Sequence, residues 1–167
     1  MKKIIISNYD DVKNPFYGGG GAYAIHELAK RLSSDFDVTV VTAKYPHSKN
    51  EIMDGVWYER IGISNAGPKI GQFIFYFLLF FYFKFKKFDL WMENFTPPFS
   101  TNFLQLFTKK PVVGLVYMLV GEDMKRKYKL PFDLIEKIGI KTYKYFITPT
   151  EFAKKKILQI NPSVQNL

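Results

Sequence analysis

Four consecutive glycines, Gly18, Gly19, Gly20 and Gly21, separate a short apolar run, Ile4-Ile5-Ile6, from a stretch in which Ile25, Leu28, Ala29 and Leu32 recur at helical spacing. Glycine lets a backbone come close to a ligand, and the first N–H groups of a helix are free to meet an anion. The run therefore reads as a ligand-binding turn, with a plain flexible loop as the bland alternative. It does not fit the dinucleotide fingerprint. That pattern needs a third glycine where Tyr23 stands, a tight turn where residues 8–17 intervene, and an acid after the second strand, where the chain reads Val41-Thr42-Ala43.

Metal and thiol chemistry are not expected. There is no cysteine, and the two histidines stand apart. His26 lies within the first helical stretch, two residues off its apolar face, and reads as structural; His47 lies in a polar loop and reads as solvated. The formal net charge of +9 favours an anionic partner: a nucleotide sugar, an acidic membrane surface or nucleic acid. Nucleic acid is the least supported of these. No helix-turn-helix, zinc-finger or RNP pattern is present, and the tyrosines are not interleaved with basic residues as a stacking platform requires.

The elements that must position the glycines follow from periodicity. Ile4-Ile5-Ile6 reads as a strand buried on both faces, followed by a helix over about 21–33 and a second strand over 37–42. Further strands are expected at 55–61, near an edge, and at 88–92, 111–117 and 145–147. Helices are expected at 70–86, 98–108, 131–142 and 151–159, with Pro131 opening one and Thr150 capping another. Residues between Tyr117 and Pro131 read as a basic loop. Short strands alternating with helices imply a parallel sheet covered on both faces. The expectation is one α/β domain over 1–167, doubly wound, with about six strands. The apolar start of the chain is too short for a signal peptide, so a cytoplasmic protein is expected.

The segments also resemble, in order, the N-terminal half of the family 4 glycosyltransferases. The first strand, the glycine loop, the amphipathic helix and Asp37-Val38-Thr39-Val40-Val41-Thr42 look like that family's opening. Asp54-Gly55-Val56 through Ile61 is similar to its third strand, and Phe88-Asp89-Leu90-Trp91-Met92-Glu93 to its "D-V-V-H-x-H" strand. Thr96-Pro97-Pro98-Phe99-Ser100-Thr101, Lys110-Pro111-Val112-Val113 through Gly121-Glu122, and Phe146-Ile147-Thr148-Pro149-Thr150-Glu151 match later stretches.

The resemblance implies a Rossmann-like, acceptor-side domain of a retaining GT-B enzyme, with the C-terminal donor-binding domain absent from 1–167. It implies transfer of a sugar from a nucleotide-sugar donor to a glycan or lipid-linked acceptor, without a metal or other cofactor, and inactivity of this half alone. A separate donor-domain subunit or a homo-oligomer would then complete it. Gly18 to Gly21 take the family's place against the donor phosphate or the acceptor. Where the family carries a histidine after the fifth strand, this chain has Tyr117, or Met118 in a shifted alignment. A tyrosine hydroxyl hydrogen-bonds a sugar or phosphate but carries no positive charge near neutral pH. Glu93 and Asn94 fall where open α/β sheets bind ligands, as readers of sugar hydroxyls or as structural groups. Glu122 is either a ligand contact or an exposed loop carboxylate.

Residues 71–83 are apolar almost all round and then meet Lys84, Lys86 and Lys87. The stretch falls short of the roughly 20 residues that span a bilayer. It reads either as a helix buried against the sheet, or as one whose outer face, with Phe77, Phe80 and Phe81, dips into an anionic membrane or meets a partner while the lysines reach headgroups. The clusters 125–129 and 154–156 read as solvated faces or as further contacts to the same membrane. The alternative function is accordingly a non-catalytic membrane- or partner-binding domain of the same fold.

Overall fold

A computed structural model describes residues 1–165. The chain runs through β1 (Lys3–Ser7), α1 (Gly20–Leu32), β2 (Asp37–Ala43), β3 (Glu51–Met53), β4 (Val56–Ile61), α2 (Gly67–Phe85), β5 (Leu90–Asn94), β6 (Val112–Leu115), α3 (Gly121–Tyr128), α4 (Phe132–Thr142), β7 (Tyr145–Ile147) and α5 (Glu151–Ile160). The strands form one sheet in the order β3-β4-β2-β1-β5-β6-β7, with β3 antiparallel to β4 and the other registered pairs parallel. Without β3, the six remaining strands follow the 3-2-1-4-5-6 order of a Rossmann-like sheet. The expected fold class holds.

Met1–Trp91 and Met92–Leu167 form two units. In the first, six successive β2 residues from Val38 to Ala43 are buried, as a strand covered on both faces requires. Adjacent residues of β4 show where the covers lie. Tyr58 meets His26 of α1, whereas Glu59 meets Tyr82 of α2 and Lys86 at its C-cap. Successive side chains of a strand point to opposite faces, so α1 and α2 cover opposite sides of the sheet. Trp91, fully buried, packs its ring against Phe83 and Phe88 at centroid distances of 5.0 and 5.3 Å and donates its indole N–H to Ser7 Oγ at 2.9 Å.

The seventh strand is β3, joined to β4 through Asp54 and Gly55, whose φ values are 49° and 81°. Two left-handed residues are what a tight two-residue hairpin needs, and Asp-Gly is a favoured pair for it. The expected helix over 98–108 is not formed. The Pro97–Pro98 bond is cis, Ser100 and Phe103 have positive φ, and only Leu104–Phe107 winds into a 3-10 turn. Left-handed residues at 100 and 103 cannot continue a right-handed helix. The expected basic loop is instead α3. It has no broad apolar stripe, but Glu122 and Asp123 in its first turn and Lys125, Arg126 and Lys127 in its last complement the helix dipole. Thr150 caps α5 by accepting from Ala153 N at 3.2 Å, as expected.

Candidate functional site

In the first unit the glycines occupy two environments. A Cβ on Gly18 would lie 2.8 Å from the Asn14 carbonyl oxygen, so Gly18 is required by the fold of its own loop. Nothing lies within 4 Å of a Cβ built on Gly19 or Gly20. Gly19 is the N-cap of α1 and supplies no side-chain cap. Open space therefore faces the start of a helix whose first N–H groups carry partial positive charge. Asp10 stands alongside, with Oδ2 3.6 Å from the Cβ position of Gly21. Burial raises its carboxyl to about 6.

The loop over 11–17 is closed by Asp11, whose N–H donates to the Tyr17 carbonyl at 3.1 Å and whose carbonyl accepts from Asn14 N at 2.9 Å. The Asp11 carboxylate is fully buried. It accepts from Arg60 Nε at 2.8 Å, Thr42 Oγ1 at 2.7 Å and Lys13 N at 2.9 Å. The Arg60 side chain is equally buried, donates to the Lys49 carbonyl, pairs with Glu51 at 3.1 Å, and lies over the rings of Tyr45 and Tyr58. Arg60 is not among the site residues the sequence leads one to expect. Its signal was available: in β4 it shares a face with buried Val56 and Tyr58.

In the second unit Glu93 turns inward. Tyr143 OH and Thr101 Oγ1 donate to its Oε2 and Asn102 N donates to Oε1, so the carboxylate ties residues 101–102 and Tyr143 to β5 and is not presented at the surface. Burial is the main influence on Glu93 and pushes it up to about 7 against the opposing pull of these hydrogen bonds. Asn94 is buried beside it in sequence. Tyr117 is half-buried, which raises its hydroxyl pKa.

Glu122 is exposed on α3. With Arg126, Asp133, Lys137 and Lys156 it lines a cleft of about 370 Å³ among α3, α4 and α5. The start of α3 is held from α4, because Glu136 Oε2 accepts from Val120 N, Gly121 N and Ser100 Oγ at 2.8, 3.0 and 2.8 Å. Glu93 and Glu122 thus serve different neighbourhoods, one internal and one open. Glu136 and Tyr143 carried no sequence signal, since their side-chain hydrogen-bond partners are 15 or more residues away, and Thr101 links Glu93, eight residues back, to Tyr143, 42 residues on.

Helix α2 has two apolar faces. Phe75, Tyr76, Leu79 and Phe83 are buried, whereas Ile70, Phe73, Phe77, Phe81 and Phe85 form an outer stripe exposed by 44–83 %. One side of the helix is buried against the sheet, as the first expected reading has it, and the other carries apolar side chains at the surface. Phe80 is half-buried, with Lys84 over its ring at 5.9 Å. Lys84 and Lys87 are exposed, but Lys86 bonds both oxygens of Glu59 at 3.0 Å and so departs from the expected headgroup role. Among the described residues no helix is long and apolar enough to cross a membrane.

Residues 18–164 match the family model for Glycosyltransferase Family 4. No curated protein gives a significant match. Among solved structures, sucrose-phosphate synthase from Thermosynechococcus elongatus superposes with a TM-score of 0.66 at 16% identity, over 100% of this chain and 47% of that one. An alpha,alpha-trehalose-phosphate synthase (UDP-forming) from Burkholderia vietnamiensis gives 0.52 at 12% identity, over 96% and 42%. At such identities the likeness is one of fold, and the chain spans about half the length of these proteins.

Proposed function

The chain belongs to glycosyltransferase family 4, and from that premise we propose that it is the acceptor-side half of a retaining, metal-independent transferase, carrying a sugar from a nucleotide-sugar donor to a glycan or lipid-linked acceptor. The observation that carries this reading is the open space over Gly19 and Gly20 at the start of α1. Amides fixed there meet the charge of a phosphate or a developing oxyanion without reorganising. The acceptor hydroxyl is placed beside them, so that positioning and electrostatics supply the rate. Asp10 is a hydrogen-bond acceptor for such a hydroxyl, and Tyr117 and Glu122 are the remaining substrate contacts of this reading. Glu93 and Asn94 act from within, by shaping the chain that follows β5. One structural relative is UDP-forming, which makes a UDP-sugar the first donor to assay.

The test is transfer. The chain is combined with a separately supplied donor-binding half of the same family and assayed over a panel of nucleotide sugars, with glycan and lipid acceptors. Turnover that needs both halves is the expected result; inactivity across the panel counts against the proposal.

The outer stripe of α2 favours a second element of the reading: work at an anionic membrane surface on the cytoplasmic side. Exposed phenylalanines with lysines at the helix end suit the headgroup boundary, each lysine near the surface adding about 1 kcal/mol. A non-catalytic membrane-binding domain would use the same face. Flotation with liposomes of neutral and anionic lipid decides: association should need anionic lipid, and no association with either removes the membrane.

A further inference from the structure

A fully buried ion pair is weak evidence of stabilisation. Desolvating both charges costs several kcal/mol per ion, and well-packed apolar residues in the same space often do as well or better. The best-attested use of such a pair is to specify one arrangement of the chain over others. Arg60 and Asp11 are placed for that use. Arg60 lies one residue before the end of β4, where β2 fixes its backbone through the Val40↔Tyr58 and Thr42↔Arg60 register. Its Nε and Nη2 reach Asp11 Oδ2 and Oδ1 at 2.8 and 3.4 Å, a fork that fixes the carboxylate in orientation as well as position. Thr42 Oγ1, from β2, meets the same Oδ2.

Asp11 is also the closure of the loop that leads to the glycines. Its N–H and carbonyl bond Tyr17 and Asn14, and its carbonyl lies 3.3 Å from the Cβ position of Gly18. Asn14 Oδ1 then accepts from Phe16 N and Tyr17 N, which leaves the segment little freedom. The sheet reaches the loop over 11–17 through the Arg60 guanidinium and the Thr42 hydroxyl in the interior, and through Glu51 of β3, which takes Lys13 Nζ at 2.6 Å nearer the surface.

We propose that Arg60 is a positioning residue for the glycine loop: through Asp11 it sets the path of residues 11–17 and so the place and orientation of Gly18 to Gly21 at the start of α1. Arg60 is fully buried and acts through Asp11. The consequence for sugar transfer rests on the reading of that loop as a ligand turn, but the positioning itself does not.

Labelling the protein with ¹⁵N-glycine gives eleven reporters. Gly114, Gly121 and Gly139, in the second unit, serve as the reference. In R60K, which keeps the charge and loses the fork, the resonances of Gly18 to Gly21 should shift or broaden while the reference three stay. In R60A, added methylguanidinium should return the loop resonances to their native positions. T42V removes one hydrogen bond to Asp11 without touching a charge; it should move the same four resonances by less, and it carries the test if R60A does not fold. A residue that only stabilises the fold would lower the melting temperature and leave the native resonances in place. Unchanged loop resonances in folded R60K and T42V would overturn the proposal. UDP-glucose added to the native protein is read on the same four resonances. Silence there removes the loop as a nucleotide-sugar site and leaves the positioning result standing.

Discussion

The Tyr143 hydroxyl donates to Glu93 Oε2 in the interior of the second unit, with both side chains shut off from solvent. The pair joins β5 to the C-cap of α4, and Thr101 bridges it by bonding both members, at 3.0 and 2.7 Å. A carboxyl group in such a place is a poor anion, since burial penalises the charged form more than its three donors support it.

The pH dependence of stability follows from the sign of that shift. Glu93 titrates near 7 in the folded chain, against an ordinary value of 4.5. Between those values the folded state holds a proton that the unfolded state has released, so stability falls as pH rises. The contribution is complete below pH 4.5, is lost as pH rises through 7, and amounts to about 3 kcal/mol for a shift of this size. Urea unfolding at pH 5 and pH 8 measures it. E93Q should be flatter across that interval than the native chain; equal slopes would show that Glu93 does not titrate there.

Gly139 tests the same cluster from the side of α4. In an exposed helix, glycine to alanine gains up to about 1 kcal/mol. At Gly139 the added Cβ would lie 2.3 Å from Thr101 Cγ2. Thr101 cannot yield freely, because its hydroxyl is engaged by Glu93 and Tyr143. G139A should therefore destabilise by about 1–3 kcal/mol, the usual range for overpacking. A rise in melting temperature would mean that residues 100–103 sit further from α4 than described.

Six of the seven strands and four of the five helices were legible from their apolar runs and periodicity, and β3 was not, being three residues long with none fully buried. Ile4-Ile5-Ile6 and Val38 to Val41 are such runs, and both proved buried throughout. Where the sequence misled, a long-range partner had decided the structure. Helix α3 begins where it does because Glu136, 15 residues on from Gly121, takes its first N–H groups. The chain after β5 is held out of a helix by the left-handed conformation of Ser100 and Phe103 and by Glu93 reaching Asn102. The glycine run was visible at once as a candidate turn. Its support was not, since nothing in the order of residues announces that Arg60 and Asp11, 49 positions apart, form one buried ion pair.

The two sides of α2 should separate stability from surface binding. Phe75 is 2 % exposed and Phe77 66 %, two residues apart on one helix. F75A should cost about 3–5 kcal/mol, as for a buried phenylalanine emptied to alanine. The double change of Phe77→Ser with Phe81→Ser should stay within about 0.5 kcal/mol per site, since neither ring is part of the core. Melting curves and liposome flotation on the same preparations give both readings. If the serine pair keeps its association with anionic vesicles, the stripe is not the membrane contact.

Gly20 offers the cleanest division between fold and function. Its neighbour Gly18 cannot take a side chain without meeting the Asn14 carbonyl at 2.8 Å, so G18A should disturb the loop and lower stability together. Gly20 opens α1 in a helical conformation, and a Cβ there meets nothing within 4 Å. G20A should thus be neutral or stabilise by up to about 1 kcal/mol, because alanine loses less backbone freedom on folding. Open space that the fold does not need is space a ligand can use. A methyl group projecting into it would keep a phosphate or sugar from the first amides of α1. Melting temperature and transfer by the two-half assay, measured on G20A, should move apart: stability kept, turnover lost. Full turnover in G20A would place the substrate elsewhere than against Gly20.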